Sequence, residues 1–293
     1  MLHIALVSAL LLAAEPNPDS TIRGKAGPSD IVITTTKRLA GAIHSVTWNG
    51  KEFIDSTDHG RQLQSASNFD LGKKFIPEVF NPTEAGSMSD GAGPKSSSKL
   101  LKLETAGDEL RTTIQMAFWL RPGEKSAGHP AYNDRVLSDH LLTKRVKIGM
   151  KDLPHAIEYE TTFVVPKEPH GYAQFEAVTG YMPAEFDTFW KLDPKTGKLH
   201  PLDDGPGEQP WAVVLATADG KYAMGAWAPP HEGFQGPGFG RWRFKAEKVV
   251  KWNIVFRLRN SAGIAAGDYR FRSYVAVGTL ADVRQTLTSL QAR

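Results

Sequence analysis

The chain has 293 residues, with 35 Lys and Arg against 32 Asp and Glu, so its net charge is +3. No basic stripe is interleaved with aromatics, and phosphate backbones require concentrated Lys and Arg, so no nucleic-acid partner is expected. At 41% hydrophobic and 10% aromatic the chain can bury a large core, which excludes global disorder, and the absence of cysteine removes disulfides, zinc ribbons and thiol nucleophiles together.

Ile4–Ala14 reads IALVSALLLAA, an uncharged run shorter than the roughly 18–20 residues a membrane span needs. It matches the apolar region of a secretory signal, with Ala13-Ala14 placed for cleavage before Glu15, although Met1-Leu2-His3 carries no Lys or Arg. A buried N-terminal strand or helix is the competing reading. The expected organisation is residues 1–14 as signal peptide, 15–30 as a polar leader and 31–293 as a single β-sandwich domain. A secreted or periplasmic protein follows, with no stable membrane insertion once the signal is removed.

The next segments read as strands. Ile31–Thr36 is β-branched, and Ala42–Trp48 meets Asn49-Gly50, the favoured two-residue hairpin turn, before Lys51–Ile54 returns. Further strands are expected at Leu110–Leu120, His140–Ile148, Ile157–Val165, Tyr172–Gly180, Trp211–Ala216, Tyr222–Trp227, Trp252–Leu258 and Tyr269–Val277. Gly107-Asp108, Asp219-Gly220 and Ala266-Gly267 mark turns near their ends, and Asp219-Gly220 is the clearest hairpin. Residues 66–98 and 121–138 read as long loops, and Gly236-Pro237-Gly238-Phe239-Gly240 as a flexible one. One helix is expected near the C-terminus, capped by Thr279 with Asp282 three positions on, and apolar at Leu280, Val283, Leu287 and Leu290. The fold class is therefore all-β: a large antiparallel β-sandwich with a short C-terminal helix.

Three polar stretches are candidates for chemistry. In Asp55–Gln64, strand geometry from Arg61 onward would send Arg61 and Leu63 one way and Gln62 and Gln64 the other; Arg with Gln suits sugar hydroxyls. A polar strand edge is the plainer reading. Phe80–Gly93 holds Asn81, Glu84 and Asp90 on a Gly-rich loop, and a solvated surface loop is its alternative. Asp90 lacks the spaced acidic neighbours of an EF-hand calcium loop. The third stretch carries Tyr181, Glu185, Trp190 and Glu208, aromatics beside carboxylates, as carbohydrate sites use. Trp190 and Trp227 are the stacking candidates, each with a core role as alternative. His59, His140 and His231 are acid–base candidates, and nine His without HxH or HExxH spacing give no metal signature. No metal and no cofactor are expected, since P-loop, GxSxG and strand-linked GxGxxG patterns are also missing.

The hairpin Gly41-Ala42-Ile43-His44-Ser45-Val46-Thr47-Trp48-Asn49-Gly50-Lys51-Glu52-Phe53 resembles the start of galactose-mutarotase-like proteins. That resemblance implies a large β-sandwich found in sugar epimerases and in domains of polysaccharide lyases and glycoside hydrolases. It also implies a sugar-binding role for Arg61, and no catalytic residue. The function expected is an exported carbohydrate-active enzyme acting on a poly- or oligosaccharide, of glycoside hydrolase or polysaccharide lyase type. A hydrolase would use Glu84 and Glu208 with Asp90 in reserve. A lyase would use Arg61 against a uronate carboxylate and His59, His140 or Tyr181 for the proton. Arg61, Gln62, Gln64, Asn81, Asp90 and Trp190 would bind the sugar. The alternatives are a sugar mutarotase or epimerase, a non-catalytic carbohydrate-binding module, and a structural envelope protein.

Overall fold

Alternation of apolar and polar residues buries every second side chain along much of the chain, as in Ser29–Thr35 and Leu153–Val165. The computed structural model describes residues 17 and 19–293, so the expected signal at Ile4–Ala14 lies outside the described residues.

The strands form two antiparallel runs. The first is ordered β7 (Lys99–Ala106), β8 (Glu109–Phe118), β11 (Leu137–Met150), β12 (Leu153–Val165), β21 (Gly267–Gly278), β18 (Ala223–Trp227), β17 (Val213–Ala216), β14 (Thr188–Leu192) and β15 (Leu199–Leu202). The second is ordered β1 (Thr21–Ala26), β2 (Ser29–Thr35), β3 (Ile43–Trp48), β5 (Leu63–Phe69), β13 (Tyr172–Pro183), β20 (Val249–Arg259), β19 (Gln235–Phe244) and β16 (Gly207–Gln209). The short β6 (Pro82–Thr83) pairs with both β5 and β8 and joins the runs. β4 (Lys51–Glu52) completes the β3 hairpin, and β9 (Lys125–Ser126) pairs only with β10 (His129–Pro130).

The runs face each other across one core. Phe175 of the second run packs tilted against Phe163 and Phe271 of the first, and Phe256 stacks on Phe271, with ring centroids 4.7–5.2 Å apart. Helix α1 (Leu280–Gln291) carries the expected capping box and buries Val283, Leu287 and Leu290. It closes a second apolar cluster over β14, β17 and β18, where Gly225 leaves room for Val283 and Leu287. Among the described residues no helix is long and apolar enough to cross a membrane.

Three expectations change. The leader ending at residue 30 contains β1, because Ile22 and Ala26 are buried and pair the segment with β2. Residues 66–69 belong to β5 and not to a loop. Gly236–Gly240 lies within β19, where Glu208 lies across Gly238 and Trp242 across Gly240, so the glycines serve close packing.

Candidate functional site

Strands β5, β13 and β20 turn one face to the core and the other to a cleft of about 550 Å³. That volume falls within the roughly 300–1,000 Å³ usual for small-molecule sites. Gln64, Ala66 and Asn68 of β5 line it, while Leu63, Ser65, Ser67 and Phe69 alternate inward and are buried. β13 contributes Gln174 and Glu176, then Thr179 and Tyr181. The switch from even to odd positions is a bulge: the register to β20 shifts between Glu176 and Val178. β20 supplies Val249 and Lys251, the latter directly opposite Tyr181.

Glu176, Lys251 and Tyr181 therefore meet on the cleft floor. The Glu176 carboxylate accepts from the Thr179 hydroxyl at 2.7 Å and from Lys251 Nζ at 3.4 Å. Burial pushes its pKa up, but Lys251 and the hydrogen bonds from Thr179 and Asn253 outweigh that, leaving it below the ordinary carboxylate value. Tyr181 is raised by burial, and the Lys251 charge recovers only part of the shift. Lys251 is raised in turn, because Glu176 and Tyr181 overcome its desolvation, and its Nζ lies 5.1 Å from the Tyr181 ring and 4.9 Å from that of Trp242. Glu176 is thus held ionised, Tyr181 protonated and Lys251 charged.

Amides and one guanidinium surround this floor. Arg61 Nε pairs with Asp58 Oδ2 at 3.1 Å, and Nη1 donates to the Glu247 carbonyl at 3.4 Å. Gln64 Nε2 donates to the Gly60 carbonyl at 2.8 Å, and its buried Oε1 has no hydrogen-bond partner among the described residues. Asn81 Nδ2 donates to the Ser67 carbonyl at 2.6 Å. Trp119 packs against Gly60 at the wall and also lines the cleft.

Of the residues singled out in sequence, Arg61, Gln64, Asn81 and Tyr181 come together here. Arg61 and Gln64 share the cleft, against the expected alternation, because Arg61 precedes the first residue of β5. The others do not join them. Glu84 is fully buried, paired with Lys144 and accepting from the Ser65 N–H at 3.0 Å, so it is a core ion pair. Glu208 is held by Arg257 through two bonds of 2.9 and 2.7 Å. The His59 ring is buried between the carbonyls of Gly91 and Arg38, at 2.7 and 2.9 Å, and ties two loops. Gln62 is buried and donates to the Asp58 carbonyl.

Asp90 accepts from the Ser87 and Ser97 amides, the Ser97 hydroxyl and Arg121; burial raises its pKa, but the hydrogen bonds from Ser97 and Ser87 outweigh that and lower it. It braces the loop. Trp190 packs into the cluster under α1, Trp227 stacks on Tyr274 at 5.7 Å, and His231 packs on Phe234 and Phe271. His140 lies in a separate buried group with Glu168 and His170.

Sequence reasoning missed Glu176 and Lys251. Gln174 and Glu176 alternating with Ala173, Phe175 and Ala177 was the available signal for a strand with one polar and one buried face.

No family model and no curated protein matches the chain. Among solved structures it is similar to the Slr1438 protein of Synechocystis sp. PCC 6803, at 13% identity over 95% of this chain and 100% of that one (TM-score 0.46). A galactose mutarotase-like protein of Clostridium acetobutylicum is also similar, at 10% identity over 88% and 94% (TM-score 0.42). So is an alpha-galactosidase of Lactobacillus brevis, at 9% identity over 92% of this chain but only 40% of that one (TM-score 0.46). No residue's role passes from them to this chain.

Proposed function

We propose that the protein is a carbohydrate-active enzyme that binds a neutral saccharide in the cleft and moves protons on it, as anomer interconversion requires. The observation that carries this reading is the Glu176–Lys251–Tyr181 floor. It sets an ionised carboxylate beside a protonated phenol, with pKa values pushed apart, among amides suited to hydroxyls. Glu176 takes the proton from the anomeric hydroxyl as Tyr181 gives one to the ring oxygen. The ring opens to the aldehyde, and the reverse transfers close it on either face. Lys251 holds the Glu176 charge in place.

The hydrolase pairing of Glu84 with Glu208 is not carried forward, since neither side chain lines the cleft. The lyase reading loses His59 and His140 for the same reason, and both cleft cations are already paired, Arg61 with Asp58 and Lys251 with Glu176. Freshly dissolved single anomers of neutral sugars, followed by polarimetry with the purified chain, test the proposal. Glu176→Gln is expected to retain binding by calorimetry and lose the acceleration by roughly 10²–10⁴-fold. Equal rates for the variant and the intact protein would refute the role of Glu176. New reducing ends from an oligosaccharide would instead mean hydrolysis.

One observation favours a second reading, a non-catalytic binding module. Proton transfer is most efficient when the groups titrate near the working pH, and here the carboxylate is lowered and the phenol raised. Saccharide binding without acceleration of any reaction is its expected outcome.

A further inference from the structure

Away from the cleft, His140 on β11 meets Glu168 and His170, which lie two residues apart on the loop between β12 and β13. His140 Nε2 is 3.0 Å and His170 Nε2 2.8 Å from the same oxygen, Glu168 Oε2, and one donor atom from each residue lies within 4.8 Å of the others. Both imidazoles are buried, and Glu168 is 21% exposed. Phe69 stacks on His170 at 4.4 Å and leans on His140 at 4.9 Å, so both rings are held before any ligand arrives.

The far side of His170 decides between a bare hydrogen-bonded trio and a ligand site. Among the described residues its buried Nδ1 has no hydrogen-bond partner, and the Asp70 carboxylate faces it at 3.9 Å. If neutral His170 donated from Nε2 to Glu168, Nδ1 would turn an unprotonated lone pair toward that carboxylate, which is unfavourable in a dry site. A cation on Nε2 reverses the tautomer: Nδ1 then carries the proton and points it at Asp70. A carboxylate behind a ligating histidine is how metal sites fix ring orientation. Asp70 is itself fixed, accepting from the Gly171 N–H at 2.9 Å.

We propose that His140, Glu168 and His170 form a binding site for a divalent transition-metal ion, zinc being the best fit to two imidazoles and a carboxylate. Asp70 orients His170, and the exposed side of Glu168 leaves a fourth position for water. Ligand atoms about 2.0–2.1 Å from a tetrahedral zinc lie roughly 3.3–3.5 Å apart, so the two imidazole–carboxylate spacings need to open by about half an ångström, and the two imidazole nitrogens, within 4.8 Å of each other, need to settle to the same separation. The site is independent of the cleft, which none of these four residues lines.

The test is calorimetric titration of the chelator-treated chain with zinc chloride, alongside the visible spectrum of its cobalt(II) complex. One equivalent is expected to bind, with a tetrahedral cobalt spectrum and a melting temperature that rises with zinc concentration. Glu168→Gln and His170→Gln should abolish saturable binding. Asp70→Asn, which touches no ligand atom, should weaken it about 10–100-fold while leaving circular dichroism unchanged. No zinc or cobalt binding by the intact chain would overturn the proposal and leave a proton as the occupant. Undiminished binding in all three variants would overturn it too, placing the ion elsewhere. If the ligand variants fail to fold, the cobalt spectrum of the intact chain and the Asp70 variant still decide.

Discussion

Glu84 and Lys144 form an ion pair with both side chains fully buried, beneath the ring of Tyr159, which Lys144 Nζ approaches to 5.7 Å. Such a pair gains little over well-packed apolar residues, but half of it is costly, because the remaining charge has no water to turn to. Lys144→Met alone is therefore expected to destabilise the fold by about 3–5 kcal/mol. The double variant Lys144→Met with Glu84→Leu should recover most of that loss. Urea unfolding of the two singles and the double closes the cycle. A Lys144→Met protein within about 0.5 kcal/mol of the parent, well below the cost of a lone buried charge, would mean that the interior is wetter than the burial indicates. The same pair explains why Glu84 looked catalytic in sequence: a carboxylate on a Gly-rich loop reads as exposed, and nothing local reveals that Lys144, sixty residues away, waits in the core.

At the scale of elements, charges cross the first run in a row. Arg145 on β11 bonds Glu109 of β8 at 2.7 Å, and Glu158 and Glu160 of β12 at 2.8 and 3.3 Å; Arg272 of β21 reaches Glu160 at 2.8 Å. Hydrogen bonds from Arg145 and then Arg111 hold Glu109 at about 2, below its ordinary 4.5. A carboxylate depressed in the folded state contributes stability above its unfolded pKa and loses it as the pH falls through the folded one. This contribution is therefore present above about pH 4.5 and lost between there and about pH 2. Arg145→Met should move the acid-unfolding midpoint to higher pH while costing no more than about 1 kcal/mol at pH 7, as the pairs are partly solvated. Circular dichroism against pH measures it, and an unmoved acid limb would show that the row is ornamental. Elements of this kind were readable from the chain, because β-branched alternation and the turns at Asn49-Gly50, Gly107-Asp108 and Asp219-Gly220 are local signals. The face a residue takes was not always readable. The bulge after Glu176 moves Thr179 and Tyr181 onto its side of β13, and a bulge is set by pairing with β20 and β5, which no stretch of sequence displays. Arg61, Gln64, Asn81 and Tyr181 were found by composition, whereas Glu176 and Lys251 needed the register.

Across the whole molecule the charge is nearly balanced, but the cleft is not. Among the described residues Asp58, Glu78, Glu176 and Glu247 line it against Arg61 and Lys251, an excess of two acids, and both cations are already engaged. A concave, partly dry site focuses that field, so an anionic sugar entering it meets repulsion and a neutral one does not. The field separates the two classes by salt. Between about 0.01 and 0.15 M ionic strength the screening length falls from roughly 30 to 8 Å. The affinity of a neutral saccharide should then change by less than about twofold, while any binding of a uronate should strengthen as its repulsion is screened. Calorimetric titration at the two salt concentrations distinguishes them. A uronate that binds more tightly at low salt would mean that Arg61 is released from Asp58 to meet it, and the cleft would then belong to acidic sugars.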